Sequence, residues 1–372
     1  MSLRCRRWTE QEFAASGDAW QALSKRSAAN PLFMSCRWSQ LWWQHHRTFL
    51  GAEARVYAIT DEHGALVGVA PFYTHRARHL GVLRTRRLEL IGTAWRTRGP
   101  VFSEYLDVVA ADSCREAVVE VLGAELDADP GWDELVLSNV RPGSSAELLA
   151  RRLAKSTHAR QAESLPAWSL PLQGSFEGFV DALGSNTRRR LYHQRHKLPD
   201  AEYRRIARPG WHAALDRLDA LLAERWGAGE QDTVRKFHEE LVHSLPEESV
   251  HISELRSGGK LVSVMLNLRD GGTEYYLQSG FDKAFARGLS PGYLHLGYAI
   301  EAACRDRIGR FDLMAGRGFH RDYKRDLAAV PEPLSTYHLV RQWPLRALFW
   351  TADRLRGRTD ITSLESGRPP CT

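Results

Sequence analysis

Apolar positions along the chain recur at two spacings. Short runs that alternate or continue for four to eight residues mark strands, and three- and four-residue steps mark helices. The first sharp signal is "RVYAITDEHGALVGVAPFYTH", Arg55 to His75, with two apolar runs about the turn Asp61-Glu62-His63-Gly64. It predicts a hairpin. A second hairpin is predicted at "VHISELRSGGKLVSVMLNLRD", Val250 to Asp270, turning at Ser257-Gly258-Gly259. The two align on their glycines: Gly64-Ala-Leu66-Val67-Gly-Val69 lies over Gly259-Lys-Leu261-Val262-Ser-Val264 at an offset of 259 − 64 = 195, with four of six positions identical. Each hairpin follows a helical region and precedes another strand. The pattern predicts a pseudo-repeat, two similar α/β domains in tandem.

The first domain is expected over residues 1–160. "DAWQALSKRS" and "RWSQLWWQHH" precede its hairpin as helices. "RRLELIG" follows as a strand, "SCREAVVEVLGAELDA" as a helix, "WDELVLSNV" as a strand, and "AELLARRLAKS" as a helix after the turn "RPGSS". The second is expected over 161–345, beginning near "PAWSLPL". "FEGFVDALG" and "NTRRRLYHQRHKL" read as helices and "AEYRRIA" as a strand. "WHAALDRLDALLAERWG" and "DTVRKFHEELVHSL" follow as helices, and "TEYYLQSG" and "RFDLMAG" are the strands beyond the hairpin. Helices around a mostly antiparallel sheet make an α+β class. Residues 346–372 are expected to be a helix end and a polar, Gly/Pro-rich disordered tail.

Composition narrows this little. A chain of 372 residues suits roughly two domains. With 43% hydrophobic and 26% charged residues it is an ordinary globular chain. A net charge of +6 suits an anionic ligand without pointing to nucleic acid. Five scattered cysteines without a C-x-x-C pair suggest a reducing, cytoplasmic setting. Neither a signal peptide nor a transmembrane span is predicted, because no sufficiently long apolar run occurs.

"GLSPG", Gly288 to Gly292, matches the G-x-S-x-G elbow of serine hydrolases. The elbow needs an N–H on the residue after the serine, and Pro291 has none. The segment before it, "FDKAFARG", is polar where an elbow needs a buried strand. Ser290 instead suits an N-cap and Pro291 the first position of a helix. That helix is predicted from Pro291 to Ile308, with Tyr293, Leu296, Gly297, Ile300, Ala303 and Cys304 on its apolar face and Gly309 as its stop. Its first turn presents N–H groups and a positive dipole end. It is either a plain cap or a phosphate site.

The basic run holds Arg188, Arg189, Arg190, Arg195 and Lys197. As a helix it places Arg188, Tyr192, Arg195 and His196 on one face, either solvated or a clamp for the phosphates of a nucleotide cofactor or RNA. His193 and His196 lack a third ligand, and the pairs His45/His46 and His75/His79 offer no more. "FHRDYKRD" gathers Asp322, Tyr323, Lys324 and Arg325 at a strand end, an exposed turn or a place to stabilise developing charge. "SEYLDVV" brings Tyr105 and Asp107 near a strand as candidate acid/base groups. "RQWPLRALFWTADRLRGR" is an apolar, basic helix that either docks on the second domain or touches a membrane surface.

Taken in order, Tyr275-Tyr276, Ser290-Pro291-Gly292, Gly309, Phe311-Asp312 and Tyr323-Lys324 resemble the C-terminal half of GNAT-like acyltransferases of the CelD (cellulose-biosynthesis) type. These are relatives of the Fem peptidyl-bridge transferases. "NPLFMSCRWSQLWW", "GALVGVAPFY" and the basic helix extend the resemblance over residues 20–345. It implies two GNAT-like domains and acyl transfer to an amine from an acyl-CoA, acetyl-CoA first among them, without a metal. In Fem relatives the donor is an aminoacyl-tRNA. The lysine of the Tyr-Lys pair, Lys324 here, is implied to steady the charge of the transfer. Tyr323, Tyr276 and Asp107 would line the transfer site between the domains. The donor pyrophosphate would rest at the Ser290 loop on the N–H groups of Gly292, Tyr293 and Leu294, with Arg188, Arg189 or Arg195 on its phosphates. The usual pyrophosphate loop Q/R-x-x-G-x-G/A is not kept, since "ARGLSPG" spaces Arg287 and its glycines differently. The implied acceptor is a small-molecule, sugar or peptide amine of cell-envelope or exopolysaccharide synthesis. The alternatives are an aminoacyl-tRNA-dependent transferase and a non-catalytic scaffold that binds a partner or nucleic acid.

Overall fold

The computed structural model of the protein describes residues 2–79, 82–97, 101–226, 231–285, 288–315 and 323–355. The chain forms two compact units, Met1–Leu165 with Pro333–Thr372, and Pro166–Glu332.

The first unit opens with β1 (Arg4–Arg7), α1 (Glu10–Ala15), α2 (Gly17–Ser24) and α3 (Cys36–Leu50). Thr9 and Glu12 close a capping box on α1, Ser35 caps α3, and Gly51 ends α3 in the left-handed conformation. The predicted hairpin is β2 (Glu53–Thr60) with β3 (Leu66–His79). Then come β4 (Leu83–Leu90), β5 (Val109–Ala110), α4 (Arg115–Ala128), β6 (Glu134–Val140) and α5 (Ser145–Leu153). The strand β7 (His158–Pro171) carries the chain into the second unit.

There α6 (Phe176–Ala182) and α7 (Ser185–Leu191) lead to β8 (Glu202–Arg205), α8 (Trp211–Trp226) and α9 (Gln231–Ser244). The second hairpin is β9 (Val250–Ser257) with β10 (Lys260–Asp270), followed by β11 (Thr273–Phe281), α10 (Pro291–Arg305), β12 (Arg310–Asp312) and α11 (Tyr323–Asp326). The strand β13 (Val330–Val340) leads back to the first unit, which α12 (Trp343–Leu355) completes.

The pseudo-repeat holds at the level of strand order. Unit one runs β1-β2-β3-β4-β6-β13 and unit two β8-β9-β10-β11-β12-β7. All of these pairs are antiparallel except β4 with β6 and β11 with β12. The α+β, mostly antiparallel expectation is met. Gly64 and Gly259, the glycines that align the two hairpins, both take positive φ in their turns, 82° and 73°.

Three expectations need correction. Residues 333–345 belong to the first unit, because β13 pairs with β6 from Ser335↔Val140 to Val340↔Glu134. The first unit thus receives its last strand from chain beyond the second, which a linear reading of boundaries does not reveal. The start of α12 packs on that unit too: Leu345 is buried and the Phe349 ring meets His79 and His338. The expected tail, 356–372, lies outside the described residues. Second, α10 ends at Arg305, since Asp306 caps it and Arg307 turns left-handed at φ 59°. Third, the basic run is not one helix. It breaks at Tyr192 (φ −128°) into α7 and a 3-10 turn over His193–Lys197. Arg188, Tyr192, Arg195 and His196 therefore share no single helix face.

The core of unit two gathers on the inner face of α10, where Leu296, Ile300 and Ala303 pack against Phe176, Leu191, Phe311 and Leu313. Burying each Leu or Ile there contributes about 1.5–3 kcal/mol.

Candidate active site

In unit two the parallel pair β11–β12 is short. It joins Thr273, Glu274 and Tyr275 to Arg310, Phe311 and Asp312 and then stops, while β11 continues to Phe281. The register against β10 slips at the same place: Tyr276 faces Asn267 and Gln278 faces Leu266, leaving Leu277 as a bulge. A bulge bends its strand and re-aims its side chains. Tyr276 thus stands where β11 outruns β12. Its hydroxyl bonds to Ser279 Oγ.

The chain beyond β12 is set by Asp312, which is fully buried. Its Oδ1 accepts the Met314 N–H at 2.8 Å, and Met314 takes φ 65°. A non-glycine residue in that region is strained unless its surroundings impose it. The turn directs the carbonyls of Met314 and Ala315 at Lys324, whose Nζ donates to them at 2.8 and 3.0 Å. Lys324 is itself buried. Beside it, the Tyr323 ring meets Tyr293 edge-on at 6.0 Å between centroids. Burial, then the neighbouring Tyr276 and Tyr293, hold the Tyr323 phenol well above the ordinary tyrosine range. At neutral pH it is a proton donor. Lys324, Tyr323, Tyr276 and Tyr293 therefore form one cluster.

The start of α10 adjoins it through Tyr293. Ser290 stands at the N-cap position, but its hydroxyl does not cap the helix. It receives Arg190 Nε at 3.2 Å, and the Arg190 guanidinium lies 4.1 Å over the Tyr293 ring. The Leu294 N–H is taken by the Ser290 carbonyl, so Leu294 offers no amide to a ligand. Helix geometry leaves Gly292 and Tyr293 with N–H groups that have no partner within α10. Gly292 is needed for space, since a Cβ there would lie 3.2 Å from the Phe281 ring.

The expected phosphate arginines divide. Arg188 donates to the carbonyls of Asp181 and Leu183. Arg195 pairs with Glu301 at 2.6 Å and stacks on Tyr298 at 3.8 Å. Both hold the fold. Arg189 is exposed and bonds to Asn186. Arg190 is the arginine brought to the helix start, and the basic run held it in view. No spacing in the run singled it out, because Arg188, Arg189 and Arg190 are successive residues of α7 and only their directions differ. Phe319 to Asp322 of "FHRDYKRD", like Arg287, lie outside the described residues.

Asp107 belongs to unit one. Its buried Oδ1 accepts Val108 N–H at 2.8 Å and Ala146 N–H at 2.6 Å, tying the 103–108 segment to the start of α5. Burial pushes its carboxyl up to about 7, against the lowering effect of backbone N–H groups from Ala146, Val108 and Ser145. Tyr105 is buried with the Arg141 guanidinium 4.1 Å over its ring. The histidines set aside above, His75 and His79, meet buried carboxylates. His75 Nε2 lies 2.8 Å from Glu89 and His79 Nε2 2.8 Å from Glu134. Their spacing of four along one strand carried no motif.

Residues 185–325 match the family described as the acetyltransferase (GNAT) domain. Solved structures match nearly the whole chain. FemX superposes with a TM-score of 0.59 at 13% identity, covering 93% of this chain and 99% of its own. A conserved protein of unknown function from Bacteroides thetaiotaomicron VPI-5482 gives 0.57 at 15%, covering 92% and 100%. The C-terminal domain of a putative lysylphosphatidylglycerol synthetase from Agrobacterium fabrum gives 0.52 at 12%, covering 92% and 96%. At these identities the likeness is one of fold. No curated protein sequence matches the chain. The fold is GNAT-like, and residues 185–325 are an acyltransferase domain of GNAT type.

Proposed function

We propose that unit two transfers an acyl group, acetyl in the simplest case, from an acyl-CoA to a primary amine. The observation that carries the reading is the convergence of Lys324, Tyr323 and Tyr276 where β11 outruns β12, next to the amide-bearing start of α10. The donor pyrophosphate would lie on the Gly292 and Tyr293 N–H groups with Arg190 beside it, where a helix dipole and a guanidinium both favour negative charge. The thioester would then lie beside β11 beyond its pairing with β12. The amine nitrogen attacks the thioester carbon, the C–N bond forms, and the carbonyl oxygen takes the negative charge. The buried Lys324 ammonium stabilises that oxyanion. The C–S bond breaks, Tyr323 O–H gives its proton to the departing thiolate, and the proton lost by the amine nitrogen restores the Tyr323 phenol. Asp107 serves unit one in this reading, holding the start of α5.

The acceptor is proposed to be an amino group on a sugar or peptide of the cell envelope or an exopolysaccharide, following the CelD-type resemblance. The test is a screen of amino sugars and amino-terminal peptides with acetyl-CoA, with free thiol as the readout. Arg190→Ala should raise the KM for the acyl-CoA about tenfold with kcat little changed, as for loss of one charge-assisted contact. An unchanged KM would remove Arg190 from donor binding. An aminoacyl-tRNA donor fits less well, because Arg188 and Arg195 of the basic run are engaged within the fold. Calorimetry with acetyl-CoA and with charged tRNA separates the two. Binding of neither at micromolar concentration would leave the scaffold reading.

A further inference from the structure

Unit one contains a cavity of about 370 Å³ at the far end of β3. It lies there because β2 ends early. The last β2–β3 pair is Glu53↔Thr74, so β3 from His75 to His79 has no strand on that side among the described residues. Five arginines line the cavity: Arg76, Arg78, Arg87, Arg96 and Arg160. No carboxylate does, among the described residues.

Glu163 meets Arg96 at 3.4 Å, and two further acids lie behind the wall. Glu89 and Glu134 are fully buried. Glu89 holds His75 and accepts the Trp95 backbone N–H at 2.7 Å. Glu134 receives His79 at 2.8 Å, Arg87 at 3.1 Å and Thr85 at 2.6 Å, and contacts His338 Nε2 at 2.6 Å. Arg160 donates to His338 Nδ1 at 3.1 Å, which fixes the His338 proton on Nε2, toward Glu134. The buried carboxylates thus orient the wall, and what faces the cavity is a set of nitrogen donors.

One further observation points to a missing acceptor. Trp95 is 5% exposed, and its buried Nε1–H meets no acceptor among the described residues. Phe49 and Phe349 add apolar surface to the same cavity.

We propose that this cavity is a binding site for the phosphate groups of a small phosphorylated molecule, separate from the acyl-donor site of unit two. The volume falls in the range of small-molecule sites, roughly 300–1,000 Å³, and exceeds what one phosphate needs. A diphosphate flanked by an apolar or planar group matches the arginines, the Trp95 N–H and the two phenylalanines.

The test is titration calorimetry of the full chain with inorganic pyrophosphate, adenosine diphosphate and adenosine. The expected result is binding of both phosphates and none of adenosine. Because the acyl-donor site also suits a diphosphate, the titrations are repeated in Arg190→Ala, where binding at the cavity should persist. Arg78→Glu and Arg96→Glu alter exposed side chains and should each weaken it about tenfold or more. Trp95→Phe, which keeps the ring and removes the N–H, should weaken it about fivefold. Absence of binding at millimolar concentration overturns the proposal. So does binding that Arg78→Glu and Arg96→Glu leave unchanged, or binding that disappears in Arg190→Ala alone.

Discussion

The two units share strand order and a single parallel pair, and they differ at the carboxyl end of that pair. In unit two β11 outruns β12 among the described residues, and the partly buried rings of Tyr276, Tyr293 and Tyr323 pack against the same core. In unit one the same end holds a cavity of about 110 Å³ whose lining includes Tyr105, Asp107 and Arg141. Asn139 Nδ2 donates to the Ser103 carbonyl at 2.9 Å, Arg141 covers Tyr105, and Asp107 ties the segment to α5. Unit one keeps its densest polar cluster at the opposite end of the pair, where Arg87 lies across from Glu134. One chain topology thus gathers a buried lysine and three tyrosines at this end in one copy, and a buried carboxylate and an arginine-covered tyrosine in the other, whose opposite end carries a second, arginine-lined cavity. Connectivity does not decide where chemistry sits. The side chains that each strand end carries decide it.

Four substitutions test that contrast, from the largest expected effect down. Glu134→Ala removes the carboxylate shared by His79, His338 and Arg87. Burial alone would raise this carboxyl, but the bonds from His338 and His79 and the charge of Arg87 hold it well below the carboxylate range. Its loss takes from the buried Arg87 guanidinium its nearest carboxylate, leaves the N–H groups turned toward it without that acceptor, and should cost about 3–5 kcal/mol in denaturant unfolding. A change below about 1 kcal/mol would mean the cluster is not what holds that end of unit one.

Lys324→Ala should lower kcat by about 10²–10³ with smaller change in donor affinity, as for loss of an oxyanion partner. Lys324→Met, which keeps the buried stem, serves as the control for folding. Unchanged turnover in both would remove Lys324 from the mechanism and with it the functional half of the contrast. Gly297→Ala tests how α10 is held. A Cβ there would lie 2.4 Å from the Leu191 carbonyl oxygen, so α7 and its Arg190 must move away. The expected cost is about 1–3 kcal/mol in thermal unfolding, together with a higher KM for the donor.

Asp107→Ala should cost about 1 kcal/mol, the usual value of a helix-start acceptor, without a large change in kcat. Its pH dependence has a definite sign. The folded carboxyl sits at about 7 and the ordinary value is 3.8. Between them the folded state holds the proton and the unfolded state has lost it, so the Asp107 contribution falls as pH rises from about 4 to about 7 and is level above. Melting temperatures of the parent and Asp107→Asn across that range should diverge accordingly. Parallel curves would place the titration elsewhere.

Both hairpins, the helix at Pro291 and the tandem α+β class were legible because each is written in local spacing: alternation, a turn glycine, a proline at a helix start. Lys324, Tyr323, Tyr276 and Tyr293 were legible as candidates through a resemblance of motifs, and they do come together. Arg188, Arg195 and Leu294 show where that reading stops. An arginine in a basic run looks alike whether it holds a ligand or a carbonyl, and only the contact of α7 with the start of α10 selects Arg190. His75, His79, Glu89 and Glu134 are separated by up to 59 residues, 134 − 75, and become a cluster only through strand pairing.

The sequence by itself determined the elements, their order, the repeat and the chemistry available, because hydrophobic period, turn residues and capping act over a few positions. The tertiary structure alone decided the rest: that the first unit takes its last strand from beyond the second, that Ser290 receives Arg190 instead of capping α10, and which side chains meet at the end of each parallel pair. Those outcomes depend on backbone pairing and on the exclusion of one side chain by another across long stretches of chain, and no local spacing encodes them.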